Sequence, residues 1–153
     1  MKPTLLTVAA ALLTLAAPLS AQASLGGDVT SVRADQARLQ ATLNTTAGSG
    51  YTVEEVKAPT GVVIREYLSS AGKVFAVAWQ GPTRPDLQQL LGAYFEVYKQ
   101  ALQTQKPTHL HRAPISINQP RLVLEMGGHM RFLVGRAYIP SLVPANVAME
   151  EIR

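Results

Sequence analysis

Apolar residues follow three different rhythms along this chain, and each rhythm predicts a different kind of element. Residues 5–19 form an apolar run broken only by small threonines and closed by Pro18, with Lys2 ahead of it and Ala21-Gln22-Ala23 behind. A positive start, a short apolar stretch and small residues before a cut at Ser24 are the pattern of a cleavable secretory leader over residues 1–23. The run is shorter than the ~20 residues a bilayer span requires, so cleavage is predicted, with no stable membrane span after it. Residues 24–153 are then expected to form a single compact domain with an irregular C-terminal tail, long enough to bury roughly two-thirds of its unfolded surface.

The second rhythm is helical. Val32, Leu39 and Leu43 share one face with Gln36 among them, while Arg33, Arg38 and Gln40 point elsewhere, which predicts a short N-terminal helix ended by the turn formers at residues 44–50. Further on, Leu87, Leu90, Leu91, Tyr94, Tyr98 and Ala101 keep helical spacing to about residue 104, before Lys106-Pro107. This predicts one long central helix, with Thr83 and Asp86 spaced as a capping box and Pro85 in the first turn.

The third rhythm belongs to strands. Tyr51–Lys57, residues 62–68 and residues 73–79 are rich in β-branched and aromatic side chains, and Ala58-Pro59-Thr60-Gly61 and Ser69-Ser70-Ala71-Gly72 separate them. Each connector has glycine fourth, as suits a type I turn followed by a left-handed residue, so a three-stranded antiparallel meander is predicted. Residues 121–126 and 129–138 flank Gly127-Gly128, read as the two-residue loop of a C-terminal hairpin. Pro114 and Pro120 confine residues 109–117 to an edge strand or an extended loop, and Pro140 and Pro144 make the tail irregular. The expected fold is therefore α+β, with a meander plus a C-terminal hairpin packed against one long central helix. The two glycine turns suggest a register in which Val53, Ile64, Phe75, Val77 and Trp79 share the helix-facing side and Glu54 pairs with Arg65.

Composition narrows the function classes. The chain has no cysteine, which excludes disulfide staples, thiol chemistry and a lipid anchor on a cysteine after the leader. Net charge is a mild +4, one unit of it from Lys2 in the leader, and the arginines are scattered. That points to solubility, with weak attraction to anionic envelope polymers, and away from nucleic acid.

Several stretches carry a resemblance. Ile64-Arg65-Glu66-Tyr67, VFAVAWQGP at residues 74–82 and PDLQQLLG at residues 85–92 resemble a family of exported proteobacterial proteins, domain of unknown function 2844. His129-Met130-Arg131 and Gly135-Arg136-Ala137-Tyr138-Ile139-Pro140 fit the same family. The resemblance covers nearly the whole chain after the leader, from Leu25-Gly26-Gly27 to the region of Pro144. It implies an exported single domain and brings no assigned activity, cofactor or catalytic residue.

Candidate chemistry is sparse. There is no GxSxG elbow, no GxxxxGK[ST] cradle and no GxGxxG fingerprint, and Gly48-Ser49-Gly50 reads as a linker. Glu54 and Glu55 point to opposite strand faces and cannot form one acid/base couple. His109 and His111, two apart on an extended segment, would project to one side, and with His129 they are candidate copper or zinc ligands, Met126 and Met130 being nearby thioethers. The plainer reading is loop histidines and core-filling methionines. Glu66 stands between Ile64 and Leu68 on an apolar stripe and must stay neutral, find a cationic partner, such as an arginine of the last hairpin, or sit at the open edge of the sheet. A catalytic site around it is the lesser alternative. Tyr51, Tyr67, Tyr94, Tyr98, Tyr138 and Trp79 would either pack the core or line a groove for a polymer or lipid. The leading expectation is a periplasmic or secreted binding domain without a cofactor, whose partner is an unknown envelope protein or polymer; the alternative is a copper or zinc binder.

Overall fold

The strand Val74–Gly81 is apolar along nearly its whole length and buried at almost every position, the signature of a strand covered on both faces. It is the middle of the protein. The computed structural model describes residues 25–39, 41–104 and 114–153. In chain order these residues form α1 (Val29–Leu39), β1 (Thr42–Ala47), β2 (Tyr51–Lys57), β3 (Val63–Ser69), β4 (Val74–Gly81), α2 (Leu87–Leu91), α3 (Phe95–Thr104), β5 (Ile115–Gln119), β6 (Leu122–His129) and β7 (Phe132–Tyr138).

All the strands belong to one antiparallel sheet of seven, ordered β1-β2-β3-β4-β7-β6-β5. The α+β class holds, but the expected arrangement of a three-stranded meander plus a C-terminal hairpin does not. Three features correct it. β4 pairs with β7 from Ala76↔Tyr138 to Gly81↔Leu133, which fuses the two groups of strands. β1 adds a fourth strand to the first group, in a stretch read as helix end and turn. Its sequence, TLNTTA, is mostly exposed, so an edge strand here lacks the alternation that burial of one face would impose. β5 is the edge strand allowed between Pro114 and Pro120.

The two glycine turns form as expected, with Gly61 at φ 84° and Gly72 at φ 71°. β2 and β3 are nevertheless one residue out of the expected register, since Glu54 stands opposite Glu66 and Val56 opposite Ile64. A one-residue slip exchanges the faces. Val53 therefore lies with Tyr67, and Arg65 meets Glu55 instead of Glu54. Phe75 also changes face, for a separate reason. Pairing steps from Tyr67↔Ala76 to Leu68↔Val74, leaving Phe75 as the extra residue of a β-bulge. Ile64, Val77 and Trp79 do face the helices as expected.

The long central helix is not continuous. Gly92 (φ 50°) caps α2 through its N–H to the carbonyls of Gln88 and Gln89, and a 3₁₀ turn at Gly92–Tyr94 leads into α3. Asp86 itself is the N-cap, accepting from the N–H groups of Gln88 (2.9 Å) and Gln89 (3.2 Å), so the box starting at Thr83 is not used. The N-terminal helix ends at Leu39, and Leu43 belongs to β1.

Two apolar clusters lie against the sheet. On one face Val32, Leu68, Val77, Leu91, Leu124 and Ile139 pack with the helices. On the other, Tyr67, Phe75, Ala76 and Ala78 are covered by Val147 and Ile152 of the C-terminal segment, which includes 3₁₀ turns at Pro140–Leu142 and Met149–Glu151. Leu25, Gly26 and Gly27 are tied to the same frame, through bonds from Leu25 N–H to Leu90 O (3.0 Å) and from Gly26 N–H to Val74 O (2.8 Å).

Within the sheet Gly135 stands opposite Trp79, and a Cβ on it would overlap the indole ring. Gly135→Ala should therefore destabilise the fold by about 1–3 kcal/mol, as overpacking does. At Gly127 a Cβ would make only an ordinary 3.5 Å contact with Pro114, so Gly127→Ala should stay within about 0.5 kcal/mol of the parent. Urea unfolding midpoints of the two variants measure the contrast.

Candidate functional site

Side chains capable of chemistry fall into three places. The first is a row across the face that carries the C-terminal segment, running Glu55, Arg65, Ala78, Arg136, Glu125 on neighbouring strands. Arg65 Nε donates to Glu55 at 2.8 Å and Arg136 Nε to Glu125 at 2.8 Å. The free ends of both guanidinium groups turn to the segment above them. Arg136 donates to the carbonyls of Met149 (2.7 Å) and Ile152 (3.3 Å), and Arg65 to the main-chain oxygen of Arg153 (3.1 Å). The Tyr67 hydroxyl donates toward the main-chain oxygens of Glu151 (3.2 Å) and Arg153 (3.0 Å) and accepts from the N–H of Arg153 at 3.0 Å. Hydrogen bonds from Lys57 and then Arg65 hold the Glu55 carboxyl below the usual carboxylate range, against the opposing effect of burial. This row is a clamp on the tail.

The second place is on the helix face, where Glu54 and Glu66 sit side by side on β2 and β3. Both are buried, Glu66 almost completely, so the face expected for Glu66 is right. The arginine suggested as its partner is not where that pairing needs it: Arg136 is on the opposite face with Glu125, and Arg131 is exposed at the hairpin turn. Thr45 donates its hydroxyl to Glu54 at 2.7 Å.

The third place is the end of the β6–β7 hairpin. Gly127 and Gly128 do not form its loop; they belong to β6, and the chain turns at Met130-Arg131 beyond the closing pair His129↔Phe132. Gly128 is required by the close approach of the Phe132 and Leu133 backbone, where no Cβ fits. β5 stops pairing at Met126, so the tip runs three strand residues, roughly 10 Å, past β5, whereas β4 pairs as far as Leu133 and is passed only by the closing pair His129↔Phe132 and the turn. Among the described residues the exposed large apolar side chains are Met130 (79 %), Phe132 (48 %), Val134 (38 %) and Leu142 (38 %), and all but the last are in this hairpin. Two grooves, of about 620 and 550 Å³, adjoin it and share Trp79, Ile115, Met126, Gly127 and Val134 as walls. The first also takes in His129, Arg84 and Arg131, and among the described residues no acidic side chain lines it.

His129 lies against Phe132 (ring centroids 5.9 Å apart), and its Nδ1 is 3.2 Å from the carbonyl of Met130. His109 and His111 lie outside the described residues. Among the described residues, no three His, Cys, Asp or Glu side chains come together as metal ligands. Met126 is half-buried between strands and Met130 stands at the tip. The tyrosines do not share one groove: Tyr51 and Tyr67 pack with Phe75 under the C-terminal segment, while Tyr94 and Tyr98 belong to the helix side. Among the described residues no helix is long and apolar enough to cross a membrane.

A seven-stranded antiparallel sheet with helices on one face defines an α+β domain. The chain belongs to the family described as Protein of unknown function (DUF2844), which matches residues 21–152 and agrees with the resemblance of its motifs. Neither a curated protein nor a solved structure matches it.

The clamp makes two predictions. Tyr51 donates its hydroxyl to Glu151 at 2.5 Å; this bond first, then burial and the Glu151 charge, push its pKa up to about 12 from 10.0. The bond stabilises the protonated phenol, so its contribution is complete below pH 10 and lost as pH rises through about 12. Ultraviolet titration of Tyr51→Phe should lack the latest-ionising component, and its stability should fall less over that interval than the parent's. Arg136→Met removes the guanidinium from the Ile152 carbonyl and from that of Met149, which keeps only the bond from the Ile152 N–H (3.3 Å), at a cost of about 1–3 kcal/mol. Hydrogen exchange should then quicken in residues 143–153 before the strands respond.

Proposed function

We propose that this chain is an exported protein of the cell envelope, periplasmic or secreted, whose single domain from Ser24 onward acts by binding and performs no chemistry of its own. The observation that carries the reading is the β6–β7 hairpin, which holds Met130, Phe132 and Val134 in solvent beside two apolar grooves. A cluster of exposed large apolar side chains at a projecting turn is costly to leave unpartnered and is the usual mark of a contact surface. Export is supported by the leader pattern in residues 1–23 and by a family match that begins at residue 21, past the apolar run.

Two measurements test this. Mass spectrometry of the protein isolated from the envelope should give Ser24 as the first residue; retention of Met1 or Lys2 would defeat the export half of the proposal. A photo-crosslinking amino acid at position 130 should form an adduct with an envelope component in living cells. The same group at the exposed Ser70, on the β3–β4 turn, should not. Equal labelling at both positions, or none at either, would remove the hairpin as the binding surface.

A further inference from the structure

We propose that the β6–β7 hairpin is a docking element for an anionic lipid bilayer, with Met130 and Phe132 entering the interface and Arg131 and Arg84 meeting lipid phosphates. The inference rests on the binding role of the hairpin and adds the partner. Three observations point to a bilayer.

The first is the shape and size of the surface. The exposed apolar groups stand at the end of a projecting turn, which can enter a soft surface with little protein area in contact. A stable protein interface buries about 800 Å² on each partner, far more than one two-residue turn offers. Insertion into a bilayer needs few side chains, because each large apolar group removed from water is by itself strongly favourable.

Charge is the second. Among the described residues the groove beside the tip is lined by Arg84, Arg131 and His129 and by no carboxylate, while Glu125 of the second groove is paired with Arg136. Cations held near an anionic bilayer surface are attracted to it, and an apolar tip with basic shoulders matches the two layers that a bilayer presents, acyl chain and phosphate.

The third is a departure from turn chemistry. Arg131 has φ 67°, and among the described residues it is the one non-glycine residue with a positive φ. Glycine or asparagine would occupy this position without strain. An arginine kept in the left-handed region, between two exposed apolar residues, is explained by what its guanidinium meets outside the protein.

The test uses the protein as isolated from cells, with sedimentation on vesicles of equimolar phosphatidylcholine and phosphatidylglycerol, and of phosphatidylcholine alone. Binding is expected on the anionic vesicles, weakening as salt is raised. Arg131→Gly should raise the urea midpoint by relieving the strained turn, yet weaken vesicle binding about five-fold, so loss of affinity cannot be a folding defect. Met130→Ser combined with Phe132→Ser should weaken it about ten-fold or more with the urea midpoint unchanged. Absence of binding to anionic vesicles would overturn the proposal, as would binding unaffected by these variants, which would indicate a retained leader or another surface. If vesicles fail while the crosslinker at position 130 captures a polypeptide or a glycan, the lipid assignment falls and the binding role stands. If the crosslinker also captures nothing, both fall.

Discussion

Everything in this fold follows from β4 being covered on both faces. Val74, Val77 and Trp79 turn to one side and Phe75, Ala76 and Ala78 to the other, and all six are buried. Each face must then have its own cover. On one side this is ordinary, since α1, α2 and α3 present apolar residues to the sheet. On the other side the cover is the C-terminal segment, whose extended stretches and single 3₁₀ turns leave main-chain groups without partners of their own. Buried carbonyls require donors. Arg65, Arg136 and Tyr67 supply them, and Ala78 between the two arginines is small enough for the segment to lie close. The paired carboxylates Glu55 and Glu125 hold each guanidinium in place, so the ionic row serves the burial of β4 more than it adds stability by itself.

That dependence explains which parts of the fold were legible in the sequence. Features set by neighbouring residues could be read: the glycine turns at Gly61 and Gly72, a helix after Pro85 though not its N-cap, and the inward face of Glu66, while Pro114 and Pro120 narrowed the stretch between them to an edge strand or a loop. Features set by distant partners could not. Nothing local in Val74–Gly81 says that its second neighbour is β7, and the polar run Thr42–Ala47 becomes a strand only because β2 offers it a free edge. The slip at Glu54↔Glu66 and the bulge at Phe75 show how little is needed to lose a face assignment, since one residue inverts every side chain that follows.

The hairpin was misread for a related reason. Gly127-Gly128 has the composition of a tight turn, but those glycines answer to the approach of β7, which composition does not reveal. The real turn, Met130-Arg131, contains no turn former at all. A signal was available in that mismatch: with the turn moved to residues 130 and 131, Phe132 and Val134 alternate onto one exposed side, giving a strand end whose outward positions are apolar. Places where local chemistry contradicts local structure are where function is best sought, because folding alone would have chosen otherwise.

The same reasoning separates the hairpin from the buried carboxylates. Glu54 and Glu66 also break a local rule, as two acids side by side on a buried face, and a pair of carboxylates is the more familiar mark of an active site. Chemistry on a substrate, however, needs a reacting group that the substrate can reach. Glu66 is 1 % exposed, and neither acid lines the grooves beside Trp79. Glu125, by contrast, lines the second groove beside Arg136, and His129 lines the first, so the polar groups a partner can reach lie at the hairpin and the ionic row, and the two buried acids are not among them.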